Sequence, residues 1–345
     1  MRLMHATGLA LLLTVHTAVS QPTPRDVPAR AIPVPGTVSP EMQAIIAQPY
    51  VPTWNVVPKS PADWKAIVDK VAAPIIAALP GLREQLGVSV QPTTIAGVKA
   101  FMVMPKEIPP ANRDRVLVHV HGGYYVLAPG EAGTREAVLL AGFGGFKVIS
   151  VDYRMPPDFP YPAALDDAMA VYRAVLETTP SRNVGIFGTS AGGGLALAMV
   201  LRAKQESLPL PGGIAPGTPW SDMTKTGDSY FTNEMVDNVL VSDDGFGHAA
   251  ALLYANGHNL KDPLLSPVYG DMHGFPPTIL TSGTRDLFLS NTVRMHRKLR
   301  QAGVEAVLQV FEGQSHAEYY RDLKAPETKE YNMEVAEFFD RHLGR

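Results

Sequence analysis

Cysteine is absent from the 345 residues. That excludes disulfides, a thiolate nucleophile and cysteine-ligated metals. Charge is sparse as well, at 18% of residues with a formal net charge of −3, and no run of Lys or Arg occurs. A nucleic-acid binder would carry a basic stripe, so nucleic acid is not an expected partner. There is no His-Glu-x-x-His, and Gly192-Gly193-Gly194 lacks the lysine of a phosphate loop, so no metal or cofactor is implied. No internal repeat occurs, and no apolar run is long enough to span a bilayer. Stable membrane insertion is therefore not expected.

What the chain does have is apolar material, 46% of its residues, enough for a sizeable core. Residues 1–20 read as a secretory leader: Arg2, an apolar run over 6–15, then the small residues Ala18-Val19-Ser20. Export to the periplasm or medium is the expectation, and a core of this size needs no disulfide to survive it. Residues 21–61 are proline-rich and aperiodic, and they read as an extended arm. A helix is predicted from Pro61 to about Leu79, ending at Pro80-Gly81.

From Gly97 onward strand-like and helix-like segments alternate. Strands are predicted over 98–104, 116–120, 147–151, 184–187, 277–282 and 306–311. Helices are predicted over 134–141, 162–177, 191–205, 291–302 and 328–342. This rhythm is that of an α/β fold with a mostly parallel central sheet flanked by helices. Residues 62–345 are read as one catalytic domain, with cap elements from about 62–90 and 220–262, where the rhythm breaks.

The sharpest local signal is Gly188-Thr189-Ser190-Ala191-Gly192, between an apolar strand and a small-residue helix. A serine on such a turn is held with its hydroxyl exposed, and the glycines avoid clashes. Upstream, His121-Gly122-Gly123-Tyr124-Tyr125 directly follows a strand. Tetrahedral intermediates need preorganised N–H donors, assigned here to Gly123 and Ala191, with a third from Tyr124 or Gly122. His121 is read as pinning this loop by hydrogen bonding.

A serine hydroxyl needs a base, and the base needs a carboxylate to fix its tautomer. Of ten histidines, His316 lies in a loop just past the strand at 306–311. His119 falls inside a strand, and His248, His258, His273, His296 and His342 lack such placement. Asp286 follows the strand at 277–282, lying 96 residues after Ser190 and 30 before His316. Asp262, Asp271 and Glu312 compete with it, each with a turn or surface role as the alternative. Tyr124, Tyr125 and Trp220 are candidate walls of an apolar substrate pocket, with core packing the alternative for Trp220.

Taken in order, these motifs resemble the hormone-sensitive-lipase-like (family IV) carboxylesterases of the α/β-hydrolase superfamily. The resemblance runs from about Val98 to Arg345. It also rests on Asp152-Tyr153-Arg154, Tyr161-Pro162-Ala163-Ala164-Leu165-Asp166-Asp167, Pro219-Trp220-Ser221-Asp222 and Asp262-Pro263-Leu264-Leu265-Ser266-Pro267. It implies hydrolysis of short- to medium-chain acyl esters or lactones through an acyl-enzyme, under a cap. Three departures stand out: Tyr124 replaces a third glycine, Thr189 replaces an Asp, and Asp286-Leu287-Phe288 replaces Asp-Pro-Leu. A peptidase or amidase on the same fold, or a ligand-binding homologue without catalysis, are the alternatives, since fold alone does not fix function.

Overall fold

The computed structural model describes residues 24–344. The leader predicted at 1–20 lies outside them. Residues 24–33 have no regular structure, and the chain from Val34 onward is a separate compact body. In chain order that body carries α1 (Pro40–Ile46), α2 (Pro61–Leu86), β1 (Val88–Ile95), β2 (Val98–Pro105), β3 (Val116–Val120), α3 (Arg135–Gly144) and β4 (Lys147–Val151). It continues through α4 (Ala163–Thr178), β5 (Val184–Thr189), α5 (Ala191–Gln205), β6 (Gly213–Gly217), α6 (Ser229–Thr232) and α7 (Phe246–Ala255). It ends with β7 (Thr278–Gly283), α8 (Leu289–Gln301), β8 (Ala306–Phe311) and α9 (Pro326–His342).

The strands form one eight-stranded sheet in the order β1-β2-β4-β3-β5-β6-β7-β8. Strands β3 to β8 are mutually parallel, while β1 pairs antiparallel with β2, and β2 with β4. Parallel strands covered on both faces are apolar almost throughout, and every residue of β3 and β5 is buried. Alternation splits β3 between two cores. Val116, Val118 and Val120 face α4, α5 and α8, and Leu117 faces α3 and α9. All loops at the C-terminal ends of the parallel strands emerge on one edge, where open α/β sheets place their ligands.

Besides β6, which the sequence reading lacks, three parts of the fold differ from it. Helix α2 does not stop near Leu79; it runs 26 residues through Pro74 and Pro80 to Leu86. A capping box of Ser60 and Asp63 starts it, and Gly87 at φ 62° ends it. Leu79 and Leu82 are buried against the sheet side, and that packing outweighs the bond lost at Pro80. Strand β1, unread in the sequence, is a half-exposed edge carrying Pro92, a residue that edge strands accommodate.

The third difference concerns the arm at 21–61. From Val34 onward it is folded: α1 is capped by Ser39, whose backbone N–H and hydroxyl donate to Glu327 at 2.8 and 2.7 Å. Met42, Ile45 and Ile46 are buried with Ala325. Among the described residues, no helix is long and apolar enough to cross a membrane.

Candidate active site

Ser190 stands between β5 and α5 with φ 63° and ψ −122°, a region L-residues rarely occupy. Its backbone is held on three sides. Its N–H donates to Gly217 O at 2.9 Å, and its carbonyl accepts from Gly194 N at 3.0 Å and Trp220 N at 2.9 Å. The flanking glycines are required by space. A Cβ on either Gly188 or Gly192 would run into the carbonyl oxygen of Val120, because the turn crosses the end of β3. The chain just before Ser190 is anchored through Thr189, whose hydroxyl donates to Glu136 of α3 at 2.6 Å. The other Glu136 oxygen faces His119 Nε2 at 3.2 Å, and His119 Nδ1 faces Ser150 at 2.9 Å. Thr189 is thus tied to a carboxylate on α3.

Asp286 and His316 occupy the loops after β7 and β8 and meet with Nδ1 3.0 Å from Oδ1. Facing a carboxylate, Nδ1 carries the proton and Nε2 keeps its lone pair. Nε2 is buried and has no hydrogen-bond partner among the described residues. The Asp286 carboxylate is fully buried, and Phe288 N donates to it at 2.8 Å, Ser282 Oγ at 2.9 Å, and the Thr218 hydroxyl as well. Phe288 sets its ring edge-on against the imidazole, with centroids 5.0 Å apart.

Ser190 and His316 line one cavity of about 240 Å³, together with Gly123 and Tyr124. An adjoining cavity of about 570 Å³ shares Gly123 and Leu127 and adds Gly122 and His121. The loop carrying these residues needs φ 109° at Gly123, which favours glycine, and φ 57° at Tyr124. The N–H groups of Gly122, Gly123 and Tyr124 donate to no protein acceptor among the described residues. Ala191, the first residue of α5, has a backbone N–H without a helical partner. His121 pins this loop as expected: Nδ1 lies 2.8 Å from Gly122 O, and its ring stacks on Tyr153 with centroids 4.2 Å apart. Burial lowers its pKa to about 4, so it is neutral at pH 7.

Of the three residues proposed as pocket walls, only Tyr124 lines the cavity, its ring edge-on to Trp220 and Phe246. Tyr125 and Trp220 do not. Both are 1% exposed, Tyr125 stacked on Tyr254 at 3.8 Å and Trp220 on Phe288 at 5.7 Å. They are core, forming an aromatic column beneath the site. The apolar wall comes instead from Trp54, Ile67, Val71, Leu240 and Phe246. Trp54 belongs to the segment read as an arm.

Two of the rival acids are committed elsewhere, and the third, Glu312, is exposed. Asp262 accepts from Leu264 N in a turn, and Asp271 pairs with Lys204 and His273. Among the described residues, no group of three or more His, Asp or Glu is placed to hold a metal ion.

Three contributors are invisible to the sequence reading. Thr218 directly follows β6, whose Gly-Ile-Ala-Pro-Gly sequence does not read as a strand. Asn233 donates to Asp286 O at 2.9 Å. Asp237, fully buried, accepts from Leu287 N at 2.8 Å and His316 N at 3.3 Å. All lie in segments without periodicity; an acid amid apolar neighbours at Val236-Asp237-Asn238-Val239-Leu240 is the one local hint.

A parallel sheet, a strained serine at a strand-to-helix turn and an Asp–His pair on the following strand-end loops define an α/β hydrolase. Comparison with known proteins bears on which one. A family profile described as an alpha/beta hydrolase fold matches residues 117–320. An esterase of Acinetobacter venetianus is 30% identical over 254 residues, 73% of this chain and 82% of the relative. An acetyl-hydrolase of Streptomyces hygroscopicus is 31% identical over 67% of this chain and 77% of its own. The crystal structure of one esterase superimposes with a TM-score of 0.90 at 44% identity, covering 93% of this chain and 99% of that one. Another, an esterase from the bacterial hormone-sensitive lipase family, gives 0.70 at 28% identity over 83% and 100% of the two chains. The chain belongs to the α/β-hydrolase family and, within it, to the hormone-sensitive-lipase-like esterases. It is a carboxylic ester hydrolase.

Proposed function

We propose that the enzyme is a serine hydrolase of short- to medium-chain acyl esters or lactones, working through an acyl-enzyme with Ser190, Asp286 and His316 as its triad. The observation that carries this reading is the Asp286–His316 pair, whose imidazole has a partnerless Nε2 and lines the cavity that also holds Ser190. His316 Nε2 takes the Ser190 proton as Oγ attacks the ester carbonyl. Negative charge develops on the carbonyl oxygen and is met by the N–H groups of Gly123 and Ala191, with a third from Tyr124 or Gly122. The imidazolium then protonates the departing alkoxide, the C–O bond breaks, and the acyl group remains on Ser190. Water repeats the sequence: His316 takes its proton, the hydroxide adds, and Ser190 leaves with that proton. Asp286 stays ionised and fixes the imidazole throughout.

The apolar cavity of about 240 Å³ is smaller than the ~300–1,000 Å³ of typical ligand pockets. That supports a short acyl group, with the adjoining cavity open to the rest of the ester. Ser190→Ala is expected to lower kcat for p-nitrophenyl butyrate by on the order of 10⁴-fold or more and to abolish fluorophosphonate labelling, with the circular dichroism unchanged. Wild-type turnover by that variant ends the reading, and faster cleavage of peptide anilides than of esters moves it to a peptidase. Export belongs to the same proposal: the protein recovered from the periplasm or medium is expected to begin at Gln21, as N-terminal sequencing would reveal.

A further inference from the structure

We propose that Asp237 is a positioning residue that holds the Asp286 and His316 loops in register with the wall of the substrate cavity. The inference rests on the triad reading above and deepens it. The Asp237 carboxylate is fully buried and accepts four backbone N–H groups. Through Oδ2 it takes Leu287 N at 2.8 Å and His316 N at 3.3 Å, one from each loop. Through Oδ1 it takes Val239 N at 2.8 Å and Leu240 N at 3.0 Å, and both residues line the cavity. One side chain therefore bridges three segments, with Leu287 50 positions and His316 79 positions further along the chain.

Its neighbours extend the clasp. Asn233 Nδ2 donates to the carbonyls of Thr284 at 3.2 Å and Asp286 at 2.9 Å. Asn238 N donates to Ser315 Oγ at 3.1 Å, and Asn238 Nδ2 to the Ile45 carbonyl at 3.2 Å. Segment 233–238 thus grips the Asp loop, the His loop and the end of α1.

The carboxylate form is what the geometry demands, because all four partners are donors and a carboxylate is acceptor-only. Burial, and then the nearby charge of Asp286, push its pKa up; His316 and the backbone N–H groups of Leu287 and Leu240 oppose them. An amide at 237 keeps one acceptor and turns an NH2 toward two N–H groups, which must move apart. Reaction rates are sensitive to shifts of that kind, since about 1 Å of misplacement costs on the order of a hundredfold.

The test compares Asp237→Asn with Asp167→Asn. Asp167 is also a buried carboxylate that accepts a backbone N–H, from Arg154 at 2.8 Å, but it does not line the cavity with Ser190. Both variants lose thermal stability. Asp237→Asn is expected to lower kcat for p-nitrophenyl butyrate and the fluorophosphonate labelling rate by about tenfold or more, with KM within about threefold. Asp167→Asn keeps both rates within about threefold.

Asn233→Ala, at a half-buried position, covers the case in which Asp237→Asn does not fold, and is expected to slow labelling by at least about threefold. Wild-type labelling rates in Asp237→Asn, or in Asn233→Ala should the former not fold, overturn the proposal. So does an equal loss of rate in Asp167→Asn. Absence of labelling in the wild-type protein would instead refute the triad reading itself.

Discussion

Ser190 sits in a conformation that its neighbours, not its own preference, impose: φ 63° is held by hydrogen bonds to Gly217, Gly194 and Trp220. The loop opposite is likewise held by a neutral, buried His121, and that burial has a measurable consequence. Its pKa falls from 6.5 to about 4, so between those values the unfolded chain binds a proton that the folded one does not. Stability from this group is complete above pH 6.5 and is lost as pH falls toward 4. At pH 5 the loss is about 2 kcal/mol. The stability gap between wild type and His121→Gln is therefore expected to narrow between pH 7 and pH 5 in denaturant titrations; a constant gap would show the imidazole titrating normally. Ser190, Asp286 and His316 are legible at this scale because chain order and strand-end loops constrain where each can lie. Thr218, Asn233 and Asp237 are not, because their partners are distant in sequence: the Asp286 carboxylate for Thr218, and main-chain groups of the two loops for Asn233 and Asp237.

At the scale of elements, the strands with both faces covered announce themselves, as β3 and β5 do with unbroken burial. Those that escape the sequence reading have compositions governed by other demands. Strand β6 carries Gly217 because the hydroxyls of Tyr319 and Thr189 occupy the space a Cβ would need, and a Cβ at Gly213 would press on the ring of Phe338. Helix α2 hides its last turn behind Pro80-Gly81. The N-terminal segment is the largest surprise: a proline-rich stretch reads as linker, yet from Val34 it supplies a capped helix and a wall of the cavity. Trp54→Ala is accordingly expected to enlarge the apolar cavity and shift preference toward longer acyl chains, seen as a change in the kcat/KM order across p-nitrophenyl acetate, butyrate and octanoate. An unaltered order would place the acyl group elsewhere.

Across the whole molecule, two apolar layers enclose the sheet, one with α3 and α9 and the other with α4, α5 and α8. The layers were readable from alternation; the sheet's antiparallel margin was not, for β1 is half-exposed and interrupted by Pro92. The feature that obscured β1 has its own effect in solution. A bare strand margin is a template on which another chain can grow, and an imino acid there removes a donor from that template. Pro92→Thr should leave turnover intact while raising light scattering at high protein concentration. The ring at position 92 thus leaves the outermost strand one donor short along its length.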